Sequence, residues 1–124
     1  MITFYDPVLK IGAMAHAMLP NSTKHGQTSN PFKFADLAID EILRKLESFG
    51  SQRINIEAKI VGGANMFPSL RGANLMTGEE NVLAVKEKLR KEGIRLAGEV
   101  IGGSVGRSVE FNTAIGIVTV RVRI

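Results

Sequence analysis

Apolar residues come in blocks whose spacing switches between the period of a strand and that of a helix. Ile2 to Tyr5 reads as a strand, and Asp6-Pro7 behind it is a turn signal. Ile11 to Pro20, IGAMAHAMLP, is apolar or Gly except at His16 and the closing Pro20. It predicts a buried strand over Ile11 to Met18, paired antiparallel with the first across a hairpin-sized gap. Asn21 to Asn30, NSTKHGQTSN, is polar throughout and predicts a surface loop. From Phe32 to Phe49 a helix is predicted. Its apolar positions Ala35, Ala38, Ile39, Ile42, Leu43, Leu46 and Phe49 form one continuous core-facing stripe. Asp36 near its start, and Arg44 and Lys45 near its end, suit the helix dipole; Gly50 is the stop.

Ile54 to Val61 sets Ile54, Ile56, Ala58 and Ile60 against Asn55, Glu57 and Lys59, the alternation of a half-buried strand. It runs into the pair Gly62-Gly63. A second helix is predicted over Gly78 to Glu92, with Thr77 and Glu80 spaced as a capping box and Gly93 as the stop. Val82, Val85 and Leu89 make its buried face, and Lys86, Lys88, Arg90 and Lys91 its solvated one. Arg95 to Ile101 is another strand that ends in a Gly pair, Gly102-Gly103. Ser108 to Asn112 and Ile117 to Ile124 read as a closing hairpin around Ala114 to Gly116. Val118, Val120, Val122 and Ile124 form the buried face of its last strand, opposite Arg121 and Arg123. The order β-β-α-β-α-β-β-β predicts an α+β fold, a mixed, mostly antiparallel sheet layered with two helices.

The length of 124 residues and a 44% hydrophobic fraction suit one domain, residues 1–124, with one core. No window has the length of a membrane span, and MITFYDP lacks the pattern of a signal peptide. The sequence has no cysteine, which excludes disulfides and Cys-ligated metal and fits a cytoplasmic protein. A net charge of +4 would suit an acidic partner. No basic cluster is interleaved with stacking aromatics, so nucleic-acid binding is not expected. A basic binder of nucleic acid or another acidic polymer is the alternative of a different class, and steep salt dependence would mark it.

Candidate chemistry is sparse. His16 has two readings, a histidine hydrogen-bonded in or near the core and a general base poised near neutral pH on a rigid strand. His25 reads as a solvated loop histidine, in a loop that could also rim a substrate. The two Gly pairs read either as tight turns or as backbone N–H groups lining one pocket, able to hold an oxyanion. Gly62-Gly63 lacks the Lys-Ser/Thr ending of a phosphate loop. Met66-Phe67 would either dock an apolar partner or join the core.

The run IGAMAHAMLP, the turn GGANMF, the segment NVLAVKEKLRKEGI and the block GRSVEFN before a final VTVRV resemble the chemoreceptor glutamine deamidase family, CheD. The resemblance covers nearly all of the chain from Tyr5-Asp6-Pro7 onward. It implies a cysteine–histidine hydrolase that converts receptor glutamines to glutamate, with a layered fold similar to that of deamidating toxins. His16 matches the family's catalytic histidine. Gly62, Gly63, Met66 and Phe67 are the expected substrate-binding residues, with no metal and no cofactor. Chemoreceptors are the implied partners, with a CheC-type phosphatase as a second and no membrane insertion. Two departures stand out. The family's cysteine, in a Gly-Ser-Cys block, and its orienting threonine fall ahead of Met1, so the first strand is expected to be incomplete and these 124 residues inactive alone. Glu80 stands where the family usually has arginine before Asn81.

Overall fold

The computed structural model describes residues 1–17, 34–62, 77–102 and 106–123. The elements are β1 (Ile2–Asp6), β2 (Ile11–Ala15), α1 (Ala35–Ser48), a 3-10 turn (Arg53–Asn55), β3 (Glu57–Gly62), α2 (Thr77–Lys91), β4 (Arg95–Ile101), β5 (Gly106–Asn112) and β6 (Ile117–Arg123). Four strands form one sheet in the order β2-β1-β3-β4, and β5 and β6 form a separate two-stranded sheet. β1 is antiparallel to both its neighbours, and β3 and β4 run parallel. The predicted α+β class and element order match this architecture.

Alternation along β1 sorts the two faces of the sheet. Ile2 and Phe4 join Ala58 and Ile60 on the side covered by α1 and α2, with Ile39, Leu43, Val85 and Leu89 in the same core. Tyr5 lies on the other side and meets the β5–β6 hairpin. Its ring packs edge-on to Phe111 at 6.1 Å, and its hydroxyl donates to the Ala114 carbonyl. Two glycines make this contact possible. A Cβ on Gly12 would lie 2.8 Å from the Phe111 ring, and one on Gly116 would lie 2.5 Å from the Tyr5 ring. The result is three layers, helices, sheet and hairpin.

Asp6 closes the β1–β2 turn. Its carboxylate is buried and accepts from the Val8 and Leu9 amides and from Ser51 Oγ at 2.7 Å, tying the turn to the segment after α1. Burial alone would raise this carboxyl. The hydrogen bonds from Ser51, Leu9 and Val8 outweigh it and hold the group below its ordinary value of 3.8.

Several expectations change. β2 ends at Ala15, short of Met18, and as an edge strand it is only half-buried, with Met14 exposed. The third strand begins at Glu57, because Arg53–Asn55 turns, and Ile54 is 87% exposed. Phe49 follows the end of α1 and is 72% exposed, off the buried stripe. Val122 is likewise exposed, while Val118 and Val120 on the same face of β6 are half-buried. Of the expected solvated face of α2, Arg90 and Lys91 are exposed, while Lys86 and Lys88 are half-buried; Lys86 pairs with Glu99, Lys88 with Asp40 and Glu92, and Arg90 with Glu87. The loop Asn21 to Asn30, with His25, and the Thr77 side chain of the predicted capping box lie outside the description.

Replacing Asp6 by Asn is expected to cost about 1–3 kcal/mol at pH 7. Because the folded value lies below 3.8, this stabilisation is complete above pH 3.8 and is lost as the pH falls through the folded value. Urea midpoints of the two proteins should therefore converge in acid. Gly116→Ala should cost about 1–3 kcal/mol in the same measurement, from the clash with Tyr5 and the residue's φ of +73°.

Candidate active site

The sheet topology brings four strand termini to one end. β2 and β3 finish there, β4 runs parallel to β3 and finishes there too, and β1 starts there. Ile2 pairs with Ala15 across β1 and β2, so one further step of the same register sets Met1 opposite His16. On the other side, the Val61 amide donates to the Met1 carbonyl at 2.9 Å, and a Cβ on Gly62 would stand 3.7 Å from the Met1 nitrogen. His16, Met1, Gly62 and Gly102 thus succeed one another along the sheet end. This brings together three residues that lie far apart in sequence, His16 and the first members of both Gly pairs.

His16 lies one residue beyond β2 and is exposed, so it sits neither in the core nor within a strand. The sheet holds its backbone up to Ala15 and leaves the ring at the end. Partial desolvation, and next the positive charge of the Met1 amine, push the imidazole below its ordinary 6.5. The ring is therefore mostly neutral at pH 7, the form that can take a proton. Burial likewise lowers the Met1 amine from its ordinary value.

Arg107, at the start of β5, crosses to the same end. Its Nη2 donates to the Gly102 carbonyl at 2.8 Å and its Nη1 to the Gly62 carbonyl at 3.4 Å, while the Gly102 amide donates to that same Gly62 oxygen at 2.9 Å. Gly62 and Gly102 both have positive φ, +137° and +75°, a backbone conformation that favours glycine. The sequence reading assigned nothing to Arg107. The available signal was an arginine directly behind the second Gly-pair turn, and its acceptors became visible only once β3 and β4 lay side by side.

Of the other expected site residues, Gly63, Met66 and Phe67 lie outside the described residues. Glu80 is exposed in the first turn of α2. A cleft of about 180 Å³ between β3, β4 and β6 is lined mainly by apolar groups, among them Val61, Val100, Val118 and Val120, and includes neither His16 nor Gly62. Among the described residues no group of three His, Cys, Asp or Glu side chains is arranged to hold a metal, and no helix is long and apolar enough to cross a membrane.

Comparison with known proteins adds to this geometry. The family described as CheD chemotactic sensory transduction matches residues 18–122. A protein of Pyrococcus horikoshii is 40% identical over 120 residues, which span 97% of this chain and 74% of that protein. One of Clostridium acetobutylicum is 42% identical over 121 residues, 97% of this chain and 73% of the relative. One of Clostridium novyi is 44% identical over 121 residues, 97% and 75%. Each of the three is named "Probable chemoreceptor glutamine deamidase CheD".

In an NMR titration of this chain, the His16 ring protons should report a midpoint below 6.5. Acetylating the Met1 amine removes the neighbouring charge and should move that midpoint upward.

Proposed function

The chain belongs to the CheD family, and from that membership and the sheet-end geometry we propose that it is built to deamidate glutamine side chains of chemoreceptors. The observation that carries the reading is the placement of His16. It is exposed and largely neutral at pH 7, and the β1–β2 register puts it opposite Met1, behind which the resemblance expects the cysteine.

In this reading a thiolate contributed from ahead of Met1 attacks the γ-carboxamide carbon of glutamine. His16 first takes the thiol proton, then returns it to the departing nitrogen as the C–N bond breaks. Ammonia leaves and a thioester remains. Water, deprotonated by the same imidazole, attacks the thioester carbon, and the C–S bond breaks to give glutamate and free thiol. Gly62, Gly63, Met66 and Phe67 are the proposed substrate-contacting residues. Backbone N–H donors to the oxyanion typically contribute about 3 kcal/mol each in acyl-transfer enzymes. The product adds a negative charge to the receptor and changes repulsion between neighbouring side chains. The chemistry calls for no cofactor, and the receptor substrate places the reaction in the cytoplasm.

One observation favours a second reading. The 124 residues contain no cysteine, so by themselves they cannot form a thioester. A chain that keeps only the recognition surface would act as an adaptor, binding receptors or a CheC-type phosphatase without turnover.

Mass spectrometry of receptor peptides separates the two. A chain extended at its N-terminus to carry the cysteine should add about one dalton per modified glutamine, and His16→Ala should abolish the gain. Peptide binding without any mass change in the extended chain would favour the adaptor.

A further inference from the structure

Arg107 is bonded unlike an ordinary surface arginine. Both Nη groups are engaged by main-chain carbonyls, while its Nε is buried with no partner among the described residues. No Asp or Glu side chain pairs with it among the described residues, and all twelve acidic side chains lie within those residues. A half-buried guanidinium with an idle donor and no Asp or Glu partner among the described residues is costly. Such groups persist where a site requires their geometry.

That geometry is specific. Gly62 ends β3 and Gly102 directly follows β4, and both have positive φ values. One backbone bond, Gly102 N–H to Gly62 O, joins the two glycines, and the guanidinium fork holds both of their carbonyls. A planar fork reaches two carbonyls at once in a fixed arrangement; an ammonium is a single point donor on a flexible stem. Gly62 in turn stands against Met1, which lies opposite His16.

We propose that Arg107 is a positioning residue of the His16 site, locking the glycine ends of β3 and β4 so that the backbone beside Met1 and His16 keeps the spacing that the reaction needs. The inference rests on the deamidase reading and deepens it. Arg107 acts through Gly62 and Gly102, and its idle Nε–H marks a role beyond a saturated structural tie.

The test uses the 124-residue chain and its N-terminally extended, cysteine-bearing form. In the former, Arg107→Ala should lose about tenfold in hydrogen-exchange protection at the Gly102 amide. In the latter, Arg107→Ala should lower kcat about a hundredfold with KM changed by less than about twofold. Arg107→Lys should recover little of this, and low concentrations of guanidinium ion should restore turnover to Arg107→Ala but not to His16→Ala. Full turnover in Arg107→Ala, or unchanged protection at Gly102, overturns the proposal. So does a loss of turnover that guanidinium does not relieve and that follows the loss of folded protein in thermal melts. If the extended parent chain releases no ammonia, or His16→Ala keeps full activity, the deamidase reading fails and takes this inference with it.

Discussion

β1 pairs antiparallel with strands on both of its sides, and the rest of the site follows from that constraint. Pairing with β2 sets Met1 level with His16, and pairing with β3 sets Met1 against Gly62. A slip of one residue in either ladder would turn Ile2 and Phe4 out of the core and Thr3 and Tyr5 into it. The apolar face beneath the helices therefore protects the alignment at the sheet end. The side chains that fill the core also fix the register that sets His16 beside the start of β1.

The opposite end of β1 is secured by different means. There the chain turns through Pro7 to Lys10, and the buried Asp6 carboxylate satisfies amides within the turn and the Ser51 hydroxyl beyond α1. One side chain thereby fixes the hairpin to the helical layer. Charge does related work along the helices. Lys88 bridges Asp40 of α1 and Glu92, and Arg53 bridges Glu47 and Glu92, so α1, α2 and the 3-10 turn are linked in series. Individually such partly exposed pairs contribute little. Three of the four basic residues from Lys86 to Lys91 pair with acidic ones of this same chain, which weakens the simplest ground for reading that helix as a surface for acidic polymers.

The β5–β6 hairpin supplies the third layer and with it Arg107. Its seating on the sheet depends on Gly12 and Gly116, which leave room for the rings of Phe111 and Tyr5. The far end of the same strand, β5, carries Arg107 to the carbonyls of Gly62 and Gly102.

By itself, the sequence determined the element order, the helical stripe from Ala35 to Leu46, the glycine stops and the family, because these are carried by local periodicity and by short blocks of residues. His16 and both Gly pairs were also legible as candidates. The tertiary structure decided which of these meet. Phe49 and Ile54 keep the apolar period yet stand in solvent, because the helix and strand whose period they share end before or start after them. Likewise, no local pattern could show that Gly62 and Gly102 would share one arginine, or that His16 would lie just past the end of its strand. Periodicity records which side of an element is apolar. Neighbours distant in the chain are chosen by strand pairing and by the fit of one layer on the next.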